Sequence, residues 1–125
     1  MKFSAHESEI RRIQIGDPFR RVVKLLASPE EGMKVPGYAE PVLGTLRTGR
    51  LTVGITEIPP GGGLAPHAHQ DTEEIICVLS GTVEYVIDKE RVTMGQGAFL
   101  HIPPRVRHEA KNSSDGTVRQ IWCMG

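Results

Sequence analysis

Aromatic side chains are scarce in this chain, with three Phe, two Tyr and one Trp in 125 residues. Any internal cavity is therefore expected to have aliphatic walls and not to be an aromatic cage. Cysteine is scarcer still. Cys77 and Cys123 form no C-x-x-C pair, which excludes a zinc knuckle and a thioredoxin-type motif. They are expected as small apolar core residues and not as a disulfide. An excess of one charge is also missing, because fifteen basic residues balance fifteen acidic ones. That removes the electrostatic footprint of a nucleic-acid binder. The longest uninterrupted apolar run, Ile75 to Leu79, has five residues, whereas a membrane span needs roughly 20. The first residues carry Glu7, Glu9, Arg11 and Arg12 where a signal peptide needs an apolar run. A cytoplasmic protein with no membrane or nucleic-acid partner is expected.

What is abundant is punctuation. Fourteen glycines and nine prolines disfavour long helices and favour short strands joined by turns. Arg21 to Ala27 reads as a strand, broken by Ser28-Pro29-Glu30-Glu31-Gly32. From Arg50 onward the texture is regular. Leu51, Val53 and Ile55 alternate with polar or small residues, the pattern of a half-buried strand. Further strands are expected at 74–79, 82–87, 91–94, 98–102, 108–111 and 118–124. Short strands at this spacing indicate a sandwich or barrel, and closure hides the sheet edges. The chain divides into a strand-containing segment, 1–45, packing on the barrel or on a partner, and a barrel, 46–125. Arg11, Arg12, Arg20, Arg21 and Lys24 cluster in the first segment. They read as an anion patch or, more simply, as a solvated strand face, since interrupted charges do not make a block.

The chemistry-bearing residues are His67, His69 and His108, with Glu73 and Glu74 nearby. On a strand, His67 and His69 share a face. A hairpin after them would bring one of the two carboxylates alongside, and His108 would approach from across a barrel. Three imidazoles and a carboxylate suit a divalent first-row metal.

Residues 61–81 resemble the first motif of the cupin family, Gly-x5-His-x-His-x(3 or 4)-Glu-x6-Gly, as Gly61, His67, His69, Glu74 and Gly81. Residues 97–112 resemble the second, Gly-x5-Pro-x-Gly-x2-His-x3-Asn, as Gly97, Pro103, Arg105, His108 and Asn112, with Arg105 in place of Gly. Fifteen residues separate the two. The resemblance implies an all-β, cupin-type jelly-roll β-barrel with little or no helix. It also implies one divalent transition metal ion (Fe, Mn, Co, Ni or Zn) held by His67, His69, Glu74 and His108. Strand parity independently favours Glu74 over Glu73, because it places Glu74 on one face with Ile76 and Val78. Arg105 implies an ordinary turn backbone or some strain. Arg105 and Arg107 are expected as solvated loop residues, His101 as core or rim packing, His6 as exposed, and Trp122 and Phe99 as core. Gln120 is a candidate amide pointing into the barrel.

Four protein ligands leave two positions open on an octahedral ion. By analogy with the family, the expected function is a metal-dependent oxidoreductase of dioxygenase type acting on a small oxygen-bearing substrate, with Glu74 also able to act as a base. The alternatives are a metal-dependent isomerase or lyase, and a non-catalytic ligand-sensing protein. A homodimer formed through a sheet edge, with Arg21 to Ala27 contributing, is expected as well.

Overall fold

Alternating apolar residues build strands here, and two sheets bury the resulting faces against each other. The computed structural model describes residues 2–35 and 38–125. The strands are β1 (Ile13–Ile15), β2 (Arg21–Ser28), β3 (Leu46–Arg47), β4 (Thr52–Ile58), β5 (Gly63–His67), β6 (Glu74–Ser80), β7 (Val83–Ile87), β8 (Glu90–Met94), β9 (Phe99–Ile102), β10 (His108–Lys111) and β11 (Val118–Met124). The helical element among the described residues is a three-residue 3-10 turn, Glu7–Glu9. None of the described helices is long and apolar enough to cross a membrane.

The larger sheet runs β1-β2-β4-β11-β6-β9, with β3 beside the end of β2. The smaller runs β5-β10-β7-β8. Together they form a jelly-roll sandwich. Ile58, Ile76 and Val78 from the larger sheet and Val83, Tyr85 and Ala110 from the smaller are buried in one core.

Most strands lie within a residue or two of their expected bounds. Three strands, β1, β3 and β5, lack a sequence signal. β5 follows Pro59-Pro60-Gly61-Gly62 and contains Pro66, which argues against a strand by composition. It forms because it is the edge of its sheet, where a missing N–H breaks no ladder. Gly81 closes the first motif for a visible reason. Its φ is +84°, and a Cβ there would sit 2.7 Å from the Thr117 carbonyl oxygen.

The basic cluster near the N-terminus divides, with Arg11, Arg12 and Arg20 exposed as a solvated face would have them, and Arg21 and Lys24 buried. Arg12 pairs with Glu57 at 2.7 Å and Arg20 with Asp17 at 2.9 Å. Lys24 is buried on the outer side of β2 and meets Glu7 at 2.7 Å. Glu7 also pairs with Arg119, so the 3-10 turn is tied down on the larger sheet. Arg21 is buried too, but on the inner side. β2 is an interior strand, with β1 pairing Arg21–Val23 on one side and β4 on the other. The edge expected to reach a second copy is thus filled within the chain, and among the described residues the open edges of this sheet are β1 with β3 on one side and β9 on the other.

Arg119 and Lys24 hold the Glu7 carboxyl down from the ordinary 4.5 to about 2. A depressed carboxylate stabilises the fold fully above its unfolded pKa, and that contribution is lost as pH falls through the folded value. Glu7→Gln is therefore expected to lower Tm modestly at neutral pH, with the gap to wild type closing between 4.5 and about 2. Thermal melts across that window check it, and a gap that stays constant would contradict it.

Candidate metal centre

His67 ends β5 and His108 begins β10, and the two are direct cross-strand partners. Their ring centroids lie 4.2 Å apart. His69 lies two residues beyond β5, in the connection that crosses to the larger sheet, with its ring 5.0 Å from His67 and 5.4 Å from His108. Glu74 is the first residue of β6, on the larger sheet. Three expectations are corrected by this. His67 and His69 do not share a strand face, because β5 ends at His67, and no hairpin joins them to Glu74, because β5 and β6 belong to different sheets. It is Glu74, and not His108, that approaches from across the sandwich.

The tautomers are set by the backbone. His67 Nδ1 lies 2.7 Å from the Ala65 carbonyl oxygen, and His108 Nδ1 lies 3.0 Å from that of Val106. A carbonyl only accepts, so each Nδ1 carries the proton and each Nε2 keeps a free lone pair. Burial pushes both imidazoles below the ordinary histidine value, which keeps them neutral at pH 7. One candidate ligand atom from each of the three histidines lies within 4.8 Å of the others. Glu74 Oε1 is 3.4 Å from His69 Nε2 and 3.7 Å from His108 Nε2. The arrangement fits a metal on a specific observation. Among the described residues, His108 Nε2 is a fully buried side-chain atom with no hydrogen-bond partner, and a lone pair so placed is costly unless a cation or a donor meets it. A carbonyl fixing the second ring nitrogen is the usual support for a ligating histidine.

The cluster opens on a cavity of about 650 Å³ whose surface is mostly apolar. Ile76 and Leu64 supply aliphatic wall, as expected, and Phe19 and Trp122 add two aromatic side chains. Gln120 does point inward. It is almost fully buried, and its Oε1 accepts from the Tyr85 hydroxyl at 2.8 Å. Burial pushes the Tyr85 phenol up, so it remains a donor. Trp122 Nε1 donates to Thr56 Oγ1 at 2.8 Å.

Residues 54–124 match the family described as Cupin domain. The chain belongs to the cupin family. Among curated proteins, this cupin is 30% identical over 73 residues to Protein SchB of Streptomyces halstedii, covering 58% of this chain and 53% of that protein. It is 34% identical over 73 residues to the quercetin 2,3-dioxygenase of Escherichia coli strain K12, covering 54% of this chain and 32% of that one. The matched regions thus span about half or less of these relatives. Among solved structures, a predicted oxalate decarboxylase from Thermotoga maritima superposes with a TM-score of 0.77 at 16% identity, covering 98% of this chain and 97% of that one. At that identity the likeness concerns the fold.

The departure from the cupin pattern at Arg105 now has a structural consequence. Arg105 adopts φ +66°, the left-handed conformation that the usual glycine takes without strain. Its backbone N–H donates to the His69 carbonyl oxygen at 2.6 Å, so the strained turn holds the loop that carries His69. Arg105→Gly is expected to relieve about 1 kcal/mol of strain, offset in part by the greater freedom of the unfolded chain. Urea unfolding should show a slightly more stable protein, and a large loss would mean that the Arg105 side chain contributes more than its strain costs.

The remaining expectations divide. His6 is exposed, and so are Arg105 and Arg107. His101 is not in the core or rim. It lies exposed on β9, with Nε2 2.7 Å from Glu73 Oε1. Phe99 is 76% exposed, because the edge strand β9 turns it outward with Cys77 of β6. Cys77 and Cys123 are free thiols, half-buried on that outer face rather than in the core. Sequence reasoning missed Arg21 and Tyr85 at the site. For Tyr85, period-2 alternation already placed it inward.

Proposed function

We propose that this cupin is a metal-dependent enzyme of dioxygenase type acting on a small oxygen-bearing organic molecule. The observation that carries the reading is the buried, unpartnered Nε2 of His108, converging with His67, His69 and Glu74 on one end of an apolar cavity. His67, His69, Glu74 and His108 would hold one divalent ion, with its identity open among Fe, Mn, Co, Ni and Zn. When bound, such an ion supplies Lewis acidity and a site for dioxygen.

The chain's own groups supply the rest. The Ala65 and Val106 carbonyls keep the two imidazoles turned inward. The apolar wall excludes water and strengthens every charge interaction inside. Glu74 Oε can take a proton from a substrate hydroxyl, since a carboxylate within reach of the reacting group acts as a base. The likeness to quercetin 2,3-dioxygenases of E. coli and Bacillus subtilis, at 34% and 29% identity over part of their length, supports oxygen chemistry.

Metal analysis of freshly purified protein, followed by substrate screening under air and under nitrogen, tests this. Turnover should require metal and O2, and ¹⁸O from O2 should enter the product. Turnover that persists under nitrogen moves the assignment to isomerase or lyase. Tight binding without chemical change moves it to a sensor. We further propose that two copies associate. Light scattering at micromolar concentration should give twice the chain mass, and a monomer overturns this.

A further inference from the structure

Arg21 sits where a lone charge is hardest to keep. It is only 7% exposed, and it lines the same cavity as His67, His69, Glu74 and His108. It occupies the inner face of β2, in line with Val23 and Leu25, which belong to the core. Among the described residues it makes no ion pair. Its recorded hydrogen bond runs from Nη1 to the Phe19 carbonyl oxygen at 3.0 Å. Lys24, the other buried Lys or Arg among the described residues, is matched by Glu7. The three other charged residues on the cavity wall do not serve Arg21. Asp17 pairs with Arg20, Glu74 lies against His69 and His108 and makes no ion pair with Arg21, and Lys34 is a second cation.

A guanidinium carries five N–H donors, and a buried charge without a partner is strongly unfavourable. Burial accordingly pushes the Arg21 pKa down, with no opposing influence from a carboxylate. The free donors are not sealed into the protein. His108 Nε2 is the buried side-chain atom that lacks both solvent and partner among the described residues, so the unused Arg21 nitrogens keep some accessible surface, and the residue lines the cavity. They are therefore within reach of a small molecule that enters it.

We propose that Arg21 is an anion subsite that makes this cavity selective for a molecule bearing one carboxylate on an apolar body. The proposal deepens the substrate-site reading above and rests on it. One guanidinium balances one negative charge, and its planar fork matches a carboxylate through two parallel hydrogen bonds. A phosphate dianion would bring a second charge beside Asp17, and the other cation on the wall, Lys34, is exposed and screened by water. The Gln120 amide lines the same cavity from the inner face of β11. Its oxygen is engaged by Tyr85, and its NH2 is left to donate to a second ligand oxygen. The ligand class is thus an organic acid whose body crosses an aliphatic cavity, with its acid group at Arg21 and its other oxygen donors towards the histidine cluster.

The test uses chelator-treated, metal-free protein, so that it does not depend on the metal. Calorimetry is run with hexanoate, with its neutral isostere hexanamide, and with inorganic phosphate. Hexanoate should bind wild type at least about tenfold more tightly than hexanamide. Arg21→Gln should remove that preference, and Arg21→Lys should retain part of it. His101→Ala, whose ring lies exposed outside the cavity, should leave hexanoate binding unchanged, and a separate metal titration of wild type distinguishes failure of this proposal from failure of the metal reading. The Arg21 Nε–H resonance in ¹⁵N-labelled wild type should shift with hexanoate and not with hexanamide, a readout that stands even if a variant misfolds. Arg21→Met should raise Tm while abolishing hexanoate binding, because it removes a buried charge without a counter-ion. Absence of hexanoate binding, equal binding of hexanamide, equal binding by Arg21→Gln, or a preference for phosphate would each overturn the proposal.

Discussion

His108→Ala is expected to weaken binding of a divalent first-row metal by about 100-fold or more. Three features make this the most damaging single change at the site. His108 is the most buried of the three histidines, at 1% exposure. Its Nε2 has no other partner among the described residues. Its ring lies within 5.4 Å of both of the others, so its loss leaves a two-histidine set that Glu74 reaches from the facing sheet. Metal titration, read by calorimetry or by the visible spectrum of bound cobalt, measures the loss. His101→Ala is the matched control, because that ring faces outward and pairs with Glu73, and it should bind metal as wild type does. The fold should survive, since removing an unsatisfied buried nitrogen offsets part of the packing lost. Unchanged metal affinity in His108→Ala would show that the cluster is not the binding site.

Gly54→Val should cost about 1–3 kcal/mol of stability and close the cavity at the same time. A Cβ at position 54 would lie 2.3 Å from Trp122 Cζ2 and 2.7 Å from Cε2, far inside van der Waals contact. Gly54 and Trp122 are cross-strand partners on β4 and β11, and the indole occupies the space that a side chain at position 54 would need. The backbone on both strands is held by the ladder, leaving the ring to move. The free volume available to it is the cavity that Trp122 already lines. Such a shift breaks the Nε1 bond to Thr56 and fills space meant for a ligand. Urea unfolding gives the stability change, and xenon or small-ligand binding gives the lost volume. Wild-type stability in Gly54→Val would mean that β4 and β11 separate more easily than their continuous pairing suggests.

Much of this molecule is legible in its residues. The strands at 108–111 and 118–124 coincide with β10 and β11, because each is a short alternating run bounded by Pro or by the Asn112–Gly116 turn. Asn112 itself, in the second motif, is fully buried and donates to the Ile58 and Gly116 carbonyls. A turn residue therefore locks that end of the sandwich. Parity along β6 put Glu74 on the buried face, where it is 8% exposed, and left Ile75 outward at 45%. Parity works there because one face of β6 meets the core and the other meets solvent. On β2 the same reasoning fails. All residues from Arg21 to Leu25 are buried, since the core covers one face and the 3-10 turn with its Glu7 covers part of the other. A charge in such a run gives no local sign of which face it takes.

From the sequence alone come the all-β class, the spacing of His67, His69, Glu74 and His108, and the inward face of β6, because period-2 alternation and turn chemistry act over a few residues. Tertiary structure alone decided that His67 and His108 are neighbours on one sheet while Glu74 arrives from the other. It also decided that Arg105 takes a left-handed turn to hold His69, and that Arg21 enters the cavity while Lys24 meets Glu7 outside. Each of these depends on which strands pair across dozens of residues, and that pairing is set by burial of the whole core rather than by any local pattern.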